Sequence, residues 1–483
     1  MNFKVISRNV GFALLTSAAF MFLSILISVA NGNDSALAAL VISFTLTFTV
    51  GVFPFIFVKK TSEISLKDGY MIIVLSWILS FVFGMLPYLL WGGPFTVVNA
   101  LFESVSGYTT MGGTILESVE NLPNSLLFWR SSTHFIGGLG VVVFLLLVIP
   151  SSSPVKLRLT NMELSSLSRG SYMTRTDRAV WVFASVYCAL TLVSFLSYWV
   201  AGMSAFDAIN HAFSVCATGG FSTKNMSIAS FNSPTINLIT IVFMFLASVH
   251  FGLIYLAVVN RTLKPFKNPV FKVYLASILF AGLFIAVSMR YGMPDRTWGD
   301  ALMDSFFHVV SFVTTTGFAI SDNNLWPHFT MVLLTVMIFS CGMAGSTAGG
   351  VKIDRMYMLL KMIVHEVRKR MHPSSVRNLT YGNVSVREED IYPHILFIGM
   401  YLMVLGLSVF FLSIFGMDLG ESLVSSLASL SDVGPGIGSM GTFGNYNGIS
   451  IGAKLIMIFD MFLGRLEIYP VLALLMLAFD RKK

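Results

Sequence analysis

Apolar residues run along this chain in long unbroken blocks, and ten of them are long enough, at about 20 residues, to cross a bilayer as helices. They fall at 8–30, 36–58, 70–91, 124–149, 178–202, 233–259, 272–292, 329–361, 391–416 and 451–479. The first lacks a convincing small-residue cleavage site and leads into a second hydrophobic arm, so it is read as a retained span and not as a signal peptide. Four connections between spans are too long and too apolar for simple loops: LFESVSGYTTMGGT (101–114), AINHAFSVCATGGFST (208–223), ALMDSFFHVVSFVTTTGFAISD (301–322) and ESLVSSLASLSDVGPGIG (421–438). Each is an amphipathic stretch of about three turns, too short to span, followed by small residues and a glycine.

Aligned on Gly112, Gly220, Gly317 and Gly434, the four connections agree position by position. Three residues before the glycine stand Thr109, Ala217, Thr314 and Ser431; two before, Thr110, Thr218, Thr315 and Asp432; one before, Met111, Gly219, Thr316 and Val433. Six before come Ser106, Ser214, Ser311 and Ala428. Thirteen before, Asn99, Asp207, Asp304 and Glu421 are all polar, which suits a helix N-terminus with its orphan N–H groups and positive dipole end. A span, re-entrant helix, glycine loop, span unit is thus used four times.

Only 11% of residues are charged, against roughly 25% in a soluble domain, which excludes a soluble globular enzyme. With the N-terminus inside, 25 of the 31 Lys and Arg residues fall on one side: Lys4 and Arg8, Lys59 to Lys67, Lys156 to Arg178, Arg261 to Lys272, Lys352 to Arg387 and Arg481 to Lys483. That bias places both termini in the cytoplasm. The net charge of +7 therefore describes topology, and nucleic acid binding loses its support. Asp34, Glu103, Glu117, Glu120, Asp207, Asp295, Asp300, Asp304, Asp322, Asp418, Glu421 and Asp432 face or approach the outer side, against the basic Arg130, Lys224, Arg290, Arg296 and Lys454, which predicts a cation-attracting vestibule. Cys188, Cys216 and Cys341 are far apart and read as small buried residues, not as a disulfide or zinc site.

Non-helical backbone at membrane depth must be buried or line a water-filled path, so four such loops are expected to meet on one axis. Re-entrant helices entering from outside aim their partially negative C-termini at the membrane centre, and small residues leave backbone carbonyls free to replace the hydration shell of an alkali cation. The predicted chemistry is selective monovalent-cation permeation.

TTMGGT, ATGGFST, VTTTGFA and SDVGPGIG, with CGMAGSTAGGVKIDR (341–355) and FLGRLEIYP (462–470), resemble in order and spacing the ion-translocating subunit of the TrkH-type branch of the Trk/Ktr/HKT potassium transporter superfamily. The resemblance covers nearly the whole chain. It implies an all-α polytopic membrane protein with four M1-P-M2 pseudo-repeats around one pore, at 67–155, 170–262, 268–372 and 388–483, plus an N-terminal two-helix hairpin over 1–66. It also implies potassium uptake across a prokaryotic inner membrane without a cofactor, a homodimer, and control by a cytoplasmic nucleotide-binding TrkA-type subunit. That partner is expected at the basic segment 361–390. The backbone carbonyls of Thr109, Thr110, Met111 and Gly112, of Thr218, Gly219 and Gly220, of Thr314, Thr315, Thr316 and Gly317, and of Ser431, Asp432, Val433 and Gly434 are the implied filter. Asp432 departs from the family, which usually has a neutral amide there, and Met111 stands where Thr is common.

The eighth block is interrupted by Gly342, Gly345, Gly349 and Gly350, each costing about 1 kcal/mol in a helix interior, with Ser346 among them. The resemblance makes this an intramembrane gating loop below the third filter loop; a small-residue helix packing face is the alternative. Arg465, with Glu467 close by, lies within the last block, where ionised groups are expensive. The resemblance points Arg465 into the pore as a gate element; a structural pair with Glu467 or Asp460 is the alternative. Gly436 to Gly441 satisfies G-x-G-x-x-G without a βαβ context, His365, Glu366 and His372 have the wrong spacing for a zinc helix, and His211 and His308 read as packing residues. No nucleophile and base stand together as in an enzyme. A solute symporter with discontinuous helices is the rival from another class, and it predicts two inverted halves with matching interruptions.

Overall fold

The computed structural model describes residues 2–59, 65–147, 176–372, 379–381, 384–386 and 391–480. Lys60, the basic segment 156–175, Arg377, Arg387 and the terminal Arg481 to Lys483 lie outside the described residues, and so do the expected domain boundaries near 155 and 170. Most of the described residues are helical, as backbone in lipid must be when it has to satisfy its own hydrogen bonds. A small antiparallel hairpin, β1 (Leu379–Tyr381) against β2 (Val384–Val386), is the exception among the described residues.

The N-terminal hairpin is α1 (Phe3–Ala30) and α2 (Leu37–Phe57). Asp34 in its turn accepts from Ser28 and from Ser125, which fastens the hairpin to the helix that follows the first re-entrant segment. The first repeat is α3 (Leu66–Gly84) continued by α4 (Leu86–Trp91), the re-entrant α5 (Val97–Thr109) and α6 (Asn124–Leu147). The second is α7 (Thr176–Val200), the re-entrant α8 (Ala205–Cys216), α9 (Pro234–Ala247) and α10 (Phe251–Val259). The third is α11 (Pro269–Gly292), the re-entrant α12 (Trp298–Val313), α13 (His328–Ser340) and α14 (Ile353–Met371). The fourth is α15 (Tyr392–Ile414), the re-entrant α16 (Leu419–Ser431), α17 (Ile451–Arg465) and α18 (Tyr469–Asp480). Phe280, Leu283 and Phe284 on α11 and Phe410 and Phe411 on α15 are exposed apolar side chains that lipid covers.

Two expected continuous spans are broken. The block at 233–259 bends by 101° at Ser248–His250, between α9 and α10. The last block breaks at Leu466–Ile468, where Glu467 and Ile468 take φ of +54° and +60°. The break expected in the eighth block is present, and the residues between α13 and α14 are not helical.

Each re-entrant helix starts at a capping side chain: Thr96 accepts from the amide of Asn99, Ser204 from Asp207, Thr297 from Asp300 and Asp418 from Gly420. The expected starts Asn99, Asp207 and Glu421 are therefore the third helical residue of their helices, a position that favours acceptors. Asp304 is different. Its helix begins at Trp298, and its carboxylate pairs with Arg296.

Candidate functional site

All four re-entrant helices end in one local device. The residue two before the aligned glycine is left-handed, with φ of 62° at Thr110, 55° at Thr218, 57° at Thr315 and 55° at Asp432. Its amide donates to the carbonyl five before the glycine: Thr110 to Gly107, Thr218 to Val215, Thr315 to Phe312 and Asp432 to Ser429. The next amide reaches one residue further back, Met111 to Ser106 at 3.0 Å, Gly219 to Ser214 at 2.9 Å, Thr316 to Ser311 at 2.9 Å and Val433 to Ala428 at 2.9 Å. This is the Schellman closure of a helix, with Thr or Asp where glycine is usual. A non-glycine residue in that conformation costs roughly 1–2 kcal/mol, so four of them mark a backbone shape held by its surroundings.

The glycines then close a ring. A Cβ on Gly112 would overlap the carbonyl oxygen of Gly219, one on Gly220 that of Thr316, one on Gly317 that of Val433, and one on Gly434 that of Met111. Each glycine thus abuts the preceding position of the next loop, in cyclic order through all four repeats. The loops enclose a common axis with four helix C-termini converging on it, an arrangement that presents carbonyl oxygens and negative partial charge to a cation. Outside the ring lies an open depression with a volume of about 120 Å³, lined by all four glycines and by Glu117, Lys224 and Tyr446.

Side chains brace each loop from behind. Ser106 and Ser311 donate their hydroxyls to the carbonyls of Gly113 and Phe318, at 2.6 and 2.7 Å. Met111 folds back so that its sulfur accepts from the Gly113 amide. The Tyr446 hydroxyl donates to the Gly434 carbonyl at 2.6 Å. Between the first two loops the buried Arg130 pairs with Glu103 at 2.6 Å, donates to the Ser222 carbonyl and lies 3.4 Å over the Phe221 ring. His134 stacks on the other side of this assembly, 4.0 Å from the Phe221 centroid, and meets the Ser214 hydroxyl at 3.2 Å.

Directly beneath the ring sits the stretch between α13 and α14. The Gly349 amide donates to the Thr315 hydroxyl at 2.8 Å, and a Cβ on Gly349 would overlap the Ser431 carbonyl. The Thr347 hydroxyl reaches the Cys216 carbonyl at 2.9 Å. The stretch therefore touches the inner ends of the second, third and fourth loops. It also docks into the break between α9 and α10: Met343 donates to the Ser248 carbonyl at 3.0 Å, and Phe251 donates to the Gly345 carbonyl at 3.0 Å. Gly345, with φ of 76°, packs on the His250 ring. Arg465 fixes it from the other side, donating to the Thr347 carbonyl at 3.1 Å and to the Gly137 carbonyl of α6 at 3.0 Å.

The model of the TrkH family of cation transport proteins matches residues 37–481 of this sequence. The chain belongs to the TrkH family. It is 32% identical to the Trk system potassium uptake protein TrkH of Escherichia coli K12 over the full length of both chains. It is also 32% identical to the potassium uptake protein TrkG of the same organism, covering 92% of this chain and 91% of that one. The crystal structure of the potassium transporter TrkH from Vibrio parahaemolyticus superposes with a TM-score of 0.88 at 29% identity, covering 98% of this chain and 99% of that one. The fold is thus that of a multi-pass TrkH-family membrane protein.

Within this TrkH-family fold the structure brings together every residue singled out in the four glycine loops, with Gly342, Gly345, Ser346, Gly349, Gly350 and Arg465 just beneath. Gly342 to Ser346 is not a helix face, Glu467 accepts from Arg355, and Asp460 accepts from Ser408 and Ser426. His211 and His308 are buried packing residues whose Nδ1 atoms meet the carbonyls of Asp207 and Asp304.

Several charges are not where the inside-outside pattern places them. Glu103 and Arg130 are a buried pair behind the ring, Lys454 is buried with its ammonium on Asn99, and Asp432 is fully buried at the inner end of the fourth loop. Lys352, counted as cytoplasmic, is buried with its ammonium on the Ala348 carbonyl. Cys188 is exposed on α7, while Cys216 and Cys341 are buried as expected. Sequence reasoning missed Ser248 to His250, His134 and Tyr446. Only the polar Ser-Val-His interruption of an apolar block signalled the first of these.

Proposed function

We propose that the chain takes up potassium across a prokaryotic inner membrane, through a filter of backbone carbonyls at Thr109 to Gly112, Thr218 to Gly220, Thr314 to Gly317 and Ser431 to Gly434. The observation that carries this reading is the cyclic contact of each aligned glycine with a carbonyl of the next loop. Four convergent helix C-termini favour a cation there. The related proteins named for potassium uptake support the choice of ion.

The stretch from Gly342 to Gly350 acts as the gate. It fills the space under the filter and is held by Arg465, whose charge raises the barrier to a cation. The basic bias of the inner connections supports cytoplasmic termini. A homodimer, and a cytoplasmic nucleotide-binding TrkA-type subunit meeting the basic segment after α14, complete the proposal. The repeats run over 67–155, 170–262, 268–372 and 388–483, after the hairpin 1–66.

Expression in a potassium-uptake-deficient strain tests the reading. Growth at low potassium and rubidium uptake in excess of sodium uptake are expected. Uptake of an organic solute without alkali-cation flux overturns it in favour of a symporter.

A further inference from the structure

We propose that the Asp432 carboxylate, with the Thr110 and Thr315 hydroxyls, forms a monovalent-cation site at the inner end of the glycine ring, closed off while the stretch 341–352 is seated. This deepens the permeation reading and rests on it. The site is distinct from a carbonyl filter because its principal ligand is a side-chain carboxylate, which gives up its proton as the cation enters.

Asp432 is fully buried, and among the described residues neither carboxylate oxygen has a hydrogen-bond partner. The Thr109 hydroxyl lies beside the Asp432 carboxylate, with its proton on the Val105 carbonyl at 2.8 Å. A buried carboxylate stays ionised only at a cost of several kcal/mol unless a cation sits beside it, and otherwise holds its proton. Thr110, in the equivalent position of the adjacent loop, also has a buried hydroxyl without a partner among the described residues. Those two loops are neighbours, since Gly434 abuts the Met111 carbonyl. Thr315 occupies the same position in the third loop, and its hydroxyl is taken by the Gly349 amide. A Cβ on Gly349 would also lie 3.2 Å from the Asp432 Cβ. The side chains of Thr315 and Asp432 therefore lie beside the place that Gly349 fills.

The charges acting on Asp432 are Arg465 and Lys352. Only Lys352 belongs to the seated stretch, its ammonium on the Ala348 carbonyl four residues before it; Arg465, on α17, holds the stretch from outside through the Thr347 carbonyl. Seated, the stretch brings the Lys352 ammonium beside Arg465 and leaves no room for a mobile cation. Withdrawn, it carries Lys352 away and exposes one carboxylate and two hydroxyls. An all-oxygen set with a single charge suits a partly dehydrated alkali cation, and its charge attracts a divalent cation more strongly still.

Rubidium uptake and its block by barium in cells expressing the full chain test the site, with Asp432→Asn, Asp432→Glu, Arg465→Ala and the Arg465→Ala/Asp432→Asn double variant. Asp432→Asn is expected to raise the rubidium KM by about fivefold or more and to weaken barium block, as loss of one nearby formal charge requires. The same shift is expected in the Arg465→Ala background, and Asp432→Glu is expected to keep KM near wild type. An unchanged KM and block in Asp432→Asn overturns the site. A shift that vanishes when Arg465 is absent also overturns it, since Asp432 then only balances that charge. If Asp432→Asn does not reach the membrane, Thr110→Ala carries the test, and an unchanged KM there overturns the site. A wild-type chain without rubidium uptake refutes the permeation reading instead.

Discussion

Glycine at 112, 220, 317 and 434 answers two demands at once: φ values of 80°, 77°, 78° and 93°, and a neighbouring carbonyl where a Cβ would sit. Thr and Asp are accepted two residues earlier, where only the first demand applies. Gly220→Ala is therefore expected to abolish rubidium uptake while membrane expression and helix content by circular dichroism stay normal. Wild-type uptake in that variant would refute the filter assignment. The Glu103 and Arg130 pair is buried and links the first two loops. Glu103→Gln leaves the Arg130 guanidinium buried without its counter-charge, a loss of about 3–5 kcal/mol. A clear drop in melting temperature of the detergent-solubilised protein is expected, and a melt identical to wild type would show that the pair does not stabilise the loops.

Among the elements, the broken helices carry the asymmetry. Gly345 sits in a left-handed conformation against the His250 ring, so Gly345→Ala must push the stretch 341–352 off its seat in the α9–α10 break. Basal rubidium flux without the cytoplasmic regulator is expected to rise in that variant. A fall in flux at normal expression would mean that the stretch does not obstruct the path. The spans and glycine loops were legible in the sequence because lipid enforces long apolar runs and because a positive φ beside a foreign carbonyl enforces glycine. The interruption before α14 was legible for the same reason. The α9–α10 break was not, since Ser248-Val249-His250 contains neither Gly nor Pro. That break exists because Met343, Thr347 and Gly345 exchange backbone hydrogen bonds with Ser248, Ala247 and Phe251, a demand that comes from another repeat. Glu103, Arg130, Lys352 and Asp432 were misplaced because the inside-outside pattern of charge records depth along the membrane normal and is silent about distance from the axis.

At the scale of the molecule, the outer half of the path has near-fourfold regularity and the inner half has none. The ring uses each repeat alike, whereas the space below it is filled by one stretch from the third repeat, seated on the broken helix of the second. Arg465, on the fourth repeat, joins that stretch to the first, donating to both the Thr347 and the Gly137 carbonyls. It is therefore placed to act as a clasp and as a barrier, since it closes the assembly mechanically and sets a positive charge under the ring. Arg465→Ala removes both effects, and they act in the same direction. Loss of the clasp frees the stretch, and loss of the charge lowers the electrostatic cost of a cation beneath the ring, which at low dielectric is the larger penalty. Basal rubidium flux is expected to rise several-fold, with potassium still preferred over sodium because the glycine ring is untouched. Unchanged flux in a variant that reaches the membrane at wild-type levels would end the gate assignment for Arg465. A rise accompanied by lost ion preference would instead move Arg465 from the gate to the support of the ring.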